Sequence, residues 1–150
     1  PASTLFRREV YETCGGFDPS LRTAEDIDFH LRVARRWRIG VVEDVLVEAM
    51  RGHGDGLSAE ATSYDDYVTV VERAVADAEG VVVDDIRNEA LALTYQRNAR
   101  GMLIHRRWGD AWRLWRAAWR RAHSASTRKA LLELLPFAAK RFLSAAVGRG

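Results

Sequence analysis

The chain has 150 residues, of which 47% are apolar and 29% charged. These proportions are ordinary for a soluble protein, and the length suffices for one domain, or for one small domain with an appendage. A single cysteine excludes an internal disulfide and favours a reducing compartment. The sequence shows no signal peptide and no run of about 18 apolar residues that could cross a bilayer. It opens with Pro1 rather than Met, so we expect a fragment.

The net charge of +2 conceals a division along the chain. Residues 1–90 carry 10 arginines and 19 acids, whereas residues 91–150 carry 13 lysines and arginines against only Asp110 and Glu133. Such asymmetry predicts two units with different surroundings, the second facing something anionic. The excess of arginine over lysine is itself weak support for a phosphate partner, because a GC-rich bacterial genome would also produce it.

In the first third of the chain, turn and periodicity signals predict helices, strands and loops in alternation. A short extended segment at 2–6 leads to a helix at 8–13, which ends at Gly15 and Gly16. A second helix runs from about Ala24 to Trp37, and Thr23-x-x-Asp26 fits a capping box at its start. The remaining predictions are strands at 39–42 and 45–47, rich in β-branched residues, and a polar loop at 51–58.

The rest of the chain is predicted to be helical. Four helices are expected: from Ser58 or Ala59 to Ala78, from Asp84 or Asp85 to about Arg107, from Asp110 to Ala122, and from Arg128 onward. Either Asp84 or Asp85 can cap the second of these helices. Pro136 is expected to kink or interrupt the last one. Residues 89–106 and 110–122 form a predicted helical hairpin, loosely similar to one tetratricopeptide unit. One such unit cannot bury its own face, so we expect it to pack on neighbouring helices.

Four motifs follow one another between residues 5 and 58: L-F-R-R-E-V-Y-E-T-C-G-G-F-D, E-D-I-D-F-H-L-R-V-A, R-I-G-V-V-E-D-V-L-V and R-G-H-G-D-G-L-S. In this order they resemble the second half of a family 2 glycosyltransferase domain. The resemblance covers roughly residues 1–58, a little over a third of the chain. It implies a mixed α/β nucleotide-sugar fold, an inverting mechanism and a Glu-Asp motif at a helix start.

The resemblance and the helical pattern together predict a fold in two parts. Residues 1–58 are expected to form an α/β remnant, a partial nucleotide-diphospho-sugar transferase fold with few short strands. Residues 59–150 are expected to form a mainly α-helical C-terminal extension. The chain would then be predominantly helical overall.

Three carboxylates, Glu25, Asp26 and Asp28, fall on the first turn of the second predicted helix, where the helix dipole favours negative charge. The simplest explanation is helix capping. An acid held ionised at a helix start is also a plausible general base. The resemblance aligns Glu25 and Asp26 with the acidic motif of the family and implies that Asp26 is the base. Glu25 would then line the acceptor side, and Asp28 would support the helix start or the acceptor site.

The glycine-rich loop offers two further candidates, His53 and Arg51. The resemblance implies that His53 completes a divalent-metal site, for Mn²⁺ or Mg²⁺, beside the donor diphosphate; the alternative is an exposed loop histidine. Arg51 would pair with phosphate oxygens or lie on the surface. The family's upstream half, which binds the nucleotide-sugar and carries paired metal-binding aspartates, is not represented within these 150 residues. We therefore expect the metal to bind only with that half, and the chain alone to be inactive.

Four tryptophans recur at helical spacing near the C-terminus, beside three arginines: Trp108, Trp112, Trp115 and Trp119, with Arg113, Arg116 and Arg120. Packing in the core of a helix pair is the favoured interpretation. One alternative is a face at the membrane interface, with arginines on lipid phosphates. Base stacking on single-stranded nucleic acid is the least favoured, because no nucleic-acid module is recognisable. The leucine-rich last helix suits a core or a membrane surface equally.

Two hypotheses for function follow. The first is the C-terminal part of an inverting glycosyltransferase, which moves a sugar from a nucleotide-sugar donor to a hydroxyl of a glycan or lipid-linked acceptor in cell-envelope polysaccharide synthesis. The second is a non-enzymatic basic helical adaptor that binds an anionic membrane surface or partner. Both predict a cytoplasmic protein, and a membrane-bound form would lie peripherally on the inner face.

Overall fold

A computed structural model describes residues 3–48 and 62–147 of the chain. Six α-helices lie within those ranges: α1 (Arg8–Thr13), α2 (Glu25–Ala34), α3 (Thr62–Asp77), α4 (Asp84–Ile104), α5 (Trp108–Arg121) and α6 (Ala125–Val147). The chain divides into two compact units, Pro1–Val70 (unit 1) and Val71–Gly150 (unit 2), and the division falls within α3. The expected boundary near residue 58 stays a prediction.

The predicted α/β remnant is wrong for the described part of the chain, which contains helices and no strand. Residues 39–47 carry the β-branched pattern, yet they form neither helix nor strand, and Val41 and Val45 are 86% and 95% exposed. A strand needs a neighbour to pair its N–H and C=O groups, and propensity alone does not supply one. The predicted loop at 51–58 lies outside the described residues.

In unit 1, α1 and α2 pack around the ring of Phe29, which is 0% exposed. The buried cluster also contains Val10, Cys14 and Val33, with Phe6 and Trp37 packed against it. Glycine makes the sharp reversal after α1 possible, because both residues that follow Cys14 have positive φ, +79° and +67°. The prediction that the first helix ends at this glycine pair is confirmed.

The predicted capping box at the start of α2 is wrong. Ala24 is the N-cap residue, in the left-handed region with φ +60° and ψ +14°, and no side chain caps the helix. Thr23 is instead buried and donates from its backbone N–H and its hydroxyl to Asp66 Oδ2 of α3, at 2.9 and 2.8 Å. The predicted acid caps of α4 are also wrong, because Val83 is its N-cap residue and no side chain caps that helix either.

In unit 2, α5 packs against α4 and α6 contacts both, which confirms that the predicted hairpin is covered by a further helix. Alanines dominate the buried face of this unit and are joined by larger residues: Ala92, Ala99, Ala111, Ala118 and Ala122, with Met102, Leu114 and Leu131. Small side chains at contacts let helix axes approach closely. The last helix continues through Pro136 rather than ending there.

Candidate functional site

The acidic turn predicted from the sequence lies at the start of α2, as expected. Glu25, Asp26 and Asp28 occupy its first turn, and all three are partly exposed. Asp26 Oδ1 accepts a hydrogen bond from the backbone N–H of Ile27 at 2.8 Å. First-turn N–H groups have no partner within a helix, so this contact satisfies one of them. The acidic turn is therefore in part a device for stabilising the helix start.

Asp28 takes part in a hydrogen-bond network that connects α2 to the end of α1. Arg32 Nε and Nη2 donate to Asp28 Oδ2 at 2.8 and 2.6 Å. The same guanidinium donates to the carbonyl oxygens of Cys14 and Gly16, the latter at 2.7 Å. Arginine suits this role because its donors form a rigid fork. Asp28 is thus held by Arg32, and both of its predicted uses stay predictions.

Asp66 also contributes to this turn, and no local sequence pattern predicts it. Its carboxylate accepts both hydrogen bonds from Thr23, which directly precedes the N-cap of α2. The two residues are separated by 43 positions, and no local pattern connects them. Their contact fastens the start of α2 to α3 within unit 1.

The predicted metal and phosphate residues, His53 and Arg51, lie outside the described residues. Within the described ranges, no three His, Cys, Asp or Glu side chains are grouped to hold a metal ion. The divalent-metal site predicted at His53 therefore stays a prediction.

The tryptophans of α5 are not all in the core. Trp112 and Trp119 are 54% and 40% exposed, so the core-packing prediction is wrong for these two. Their rings stack on either side of Trp115, with centroids 5.1 and 5.4 Å apart. Trp115 Nε1 donates to the carbonyl of Leu131 in α6 at 3.0 Å. The buried face of α5 consists instead of Ala111, Leu114 and Ala118.

Basic residues surround these rings. Arg113, Arg116 and Arg120 are all exposed on α5. The acid of this helix, Asp110, accepts a hydrogen bond from Arg107 Nε at 2.8 Å. That bond, aided by Arg113, holds the pKa of Asp110 below its usual range. The face therefore presents arginine charge next to exposed indole.

The polar network of unit 2 centres on Glu89 of α4. Its carboxylate accepts hydrogen bonds from the hydroxyls of Ser124 and Thr127 and from the backbone N–H groups of His123 and Ser124. Partial burial acts to raise the pKa of Glu89, but these four donors outweigh it and lower the pKa to about 2.

The same network fixes the start of α6, because Ser124 Oγ accepts from the N–H of Thr127 at 3.1 Å, as a helix N-cap does. Glu89 also borders an open groove lined with Asp85, Ile86, Ala90, Leu93 and His123. Since its carboxylate oxygens are occupied by the start of α6, we assign Glu89 to the fold rather than to a ligand site.

Comparisons of this chain with protein-family models, with curated proteins and with solved structures found no match. No helix in the described ranges combines the length and apolarity that crossing a membrane requires.

Proposed function

We propose that the chain is the acceptor-side part of an inverting glycosyltransferase, active only together with a donor-binding half. The order of the motifs in residues 5–58 supports the proposal. The observation that carries it is the acidic turn of α2, where Glu25 and Asp26 are partly exposed on a helix fastened by Arg32 to the end of α1. The proposal does not depend on a sheet within this chain.

The chemistry proposed for this turn is a single displacement. Asp26 takes the proton from an acceptor hydroxyl as that oxygen attacks the anomeric carbon of the donor. The bond from this carbon to the diphosphate breaks, the nucleoside diphosphate leaves with the electron pair, and the configuration inverts. Glu25 orients the acceptor. Asp28 holds Arg32 and so keeps the turn in place.

The cheapest test is to read the coding sequence upstream of Pro1. We expect a strand-rich, nucleotide-binding segment that ends in paired aspartates. An initiation codon immediately before Pro1 would overturn the proposal, because the chain would then have no donor half.

The decisive test is the Asp26→Asn variant of the full-length protein, assayed by release of nucleoside diphosphate from a panel of nucleotide-sugars. We expect turnover to fall by about 10²-fold or more, the scale of general-base catalysis, with donor binding nearly intact. The matched control is Glu9→Gln, which neutralises an exposed first-turn acid of α1. If the Asp26 variant keeps activity within a few-fold of the parent while Glu9→Gln is normal, Asp26 is not the base.

A further inference from the structure

The helices α5 and α6 share an exposed apolar surface, which the core of unit 2 does not use. We call it the Trp–Leu surface, and it consists of Trp112, Trp119, Leu132, Leu135, Phe142 and Leu143. In α6 the members of this surface are separated by three positions (Leu132 to Leu135), seven (Leu135 to Phe142) and one (Phe142 to Leu143), which places all four on one side of the helix. The adjoining side of α6 contributes Leu131 and Leu134 to the core.

Two contacts join the α5 and α6 parts of this surface. Trp115, stacked between the two exposed indoles, donates to the carbonyl of Leu131, the residue next to Leu132. At the other end, the rings of Trp108 and Phe142 meet edge to face, with centroids 5.8 Å apart. Through Trp115 and Trp108, the tryptophan stripe of α5 therefore contacts α6, the helix that carries the exposed leucines.

Exposed cations border the Trp–Leu surface. They are Arg113, Arg116 and Arg120 on α5, and Arg128, Lys129 and Lys140 on α6. Arg116 lies four residues after Trp112 and three before Trp119, so its side chain neighbours both rings. The acids of these two helices are Asp110, bound to Arg107, and Glu133. The apolar surface therefore has a strongly cationic border.

We propose that the Trp–Leu surface docks on the interface of an anionic lipid bilayer, with the indoles at headgroup depth and the border cations on lipid phosphates. An amphipathic helix of this composition lies in the interface plane, its apolar face in the headgroup and acyl boundary. The anionic surface attracts the cations, and tryptophan is enriched at this depth. Insertion of the apolar side chains and attraction of the cations to lipid phosphates then both favour binding. This accounts for the apolar surface and for its cationic border.

The charge argues against the other occupants. A second copy of the chain would bring one cationic border against another, which is repulsive. A nucleic acid would neutralise the arginines and stack on tryptophan, but it offers no apolar phase for Leu132, Leu135 and Phe142. A lipid interface supplies anionic groups and a hydrocarbon boundary together.

The first experiment is co-sedimentation of the chain with vesicles of phosphatidylcholine, with and without phosphatidylglycerol. We expect binding to the anionic vesicles, a blue shift of tryptophan emission, and at least tenfold weaker binding on going from about 0.05 to 0.5 M salt, because exposed charges are screened. No binding to anionic vesicles at low salt, or equal binding to neutral ones, would overturn the proposal.

Paired variants test the border. Each Lys or Arg near an anionic surface contributes about fivefold to partition, so Arg116→Gln with Arg120→Gln should weaken vesicle binding about 20- to 30-fold. The matched control, Arg8→Gln with Arg38→Gln, removes the same charge from exposed positions of unit 1 and should change binding less than twofold. Circular dichroism checks that all four exposed substitutions leave the fold intact. Equal losses in both pairs would mean nonspecific attraction and overturn the assignment.

The apolar part is tested separately by Trp112→Ala with Trp119→Ala, which leaves the charge unchanged. We expect weaker vesicle binding and loss of quenching by brominated lipid. Sedimentation velocity of the parent chain tests the competing occupant. A dimer that the same two substitutions dissociate would assign the surface to a second copy and overturn the membrane proposal.

Discussion

Phe29 of unit 1 and Trp112 of unit 2 show two different placements of a large aromatic side chain. In unit 1, Phe29 is fully buried, and its ring contacts Phe6 and Phe17 at 5.1 Å and Tyr11 at 5.7 Å. In unit 2, the indole of Trp112 is 54% exposed although it belongs to a stack of rings. A large ring therefore forms the centre of the core in unit 1, whereas in unit 2 the core includes Tyr95 and two indoles are left exposed.

The difference follows from what lies between the helices. The core of unit 1 depends on the short α1, of 6 residues, and on α2, so a large ring fills the space between them and the adjoining turns. Unit 2 has the longer α4, α5 and α6, whose buried residues include five alanines and the ring of Tyr95. Small side chains at a helix contact let the axes approach closely. The indoles of Trp112 and Trp119 lie outside this buried face.

The largest expected effect tests this contrast directly. Phe29→Ala removes the ring at the centre of unit 1, and we expect it to cost about 3–5 kcal/mol in free energy of unfolding. Urea denaturation followed by circular dichroism measures the change. Trp112→Ala removes a larger side chain, but one already half in water, so it should cost less, about 1–2 kcal/mol. Equal losses in the two variants would refute the contrast between the units.

The sequence predicted the helices of this fold well but not what they would contact. Helical spacing and glycine stops located α1, α2, α4 and α5 to within a few residues, because both signals are local. The strands at 39–47 failed because β-branched residues only favour a strand where a partner strand is present. The prediction that Trp112 lies in the core was wrong for a similar reason. A periodic apolar stripe shows that residues lie on the same side of a helix, but it does not show which element packs against that side.

The second prediction concerns Glu89, the polar anchor of unit 2. Hydrogen bonds from the start of α6 lower its pKa to about 2 in the folded chain, from the ordinary value of 4.5. A depressed acid contributes stability above its unfolded pKa, and that contribution is lost as the pH falls through the folded pKa. We therefore expect stability to decrease from about pH 5 toward pH 2. Glu89→Gln should cost about 1.5–3 kcal/mol at neutral pH, the scale of hydrogen bonds to a charged group.

The measurement is the free energy of unfolding as a function of pH for the parent chain and the variant. The two curves should converge toward pH 2, because the protonated parent then resembles the amide. Glu133→Gln, at an exposed position of α6, is the matched control and should follow the parent curve. Parallel curves for parent and Glu89→Gln would show that the carboxylate charge does not stabilise the start of α6.

At the candidate site, too, the sequence predicted the local feature but not its partners from other elements. The acidic turn at Glu25, Asp26 and Asp28 was predictable because charge at a helix start has a local cause. The partners of that turn were not, because Arg32 reaches back to Cys14 and Gly16, and Asp66 reaches Thr23 across 43 positions. Such contacts exist only once the helices have packed.

The smallest expected effect concerns the polar anchor of unit 1, where Thr23 has one carboxylate partner. Thr23→Val keeps the buried shape and removes the hydroxyl that donates to Asp66, so it should cost about 1 kcal/mol in free energy of unfolding. Thr13→Val is the control, because the hydroxyl of Thr13 is exposed and donates a hydrogen bond to the backbone carbonyl oxygen of Glu9, within the same helix. It should cost less than about 0.5 kcal/mol.

A double-mutant cycle separates this contact from helix capping. If the hydroxyl of Thr23 acts through Asp66, then Thr23→Val should cost almost nothing in an Asp66→Ala background, and the coupling energy should be about 1 kcal/mol. A capping threonine would instead cost the same in both backgrounds, because its acceptor role toward the first turn does not involve Asp66. The backbone N–H of Thr23 also donates to Asp66, so Asp66→Ala alone should cost more than Thr23→Val. A persistent cost of Thr23→Val without Asp66 would restore the capping interpretation of the start of α2. It would also remove the reason for treating Asp66 as the anchor of unit 1.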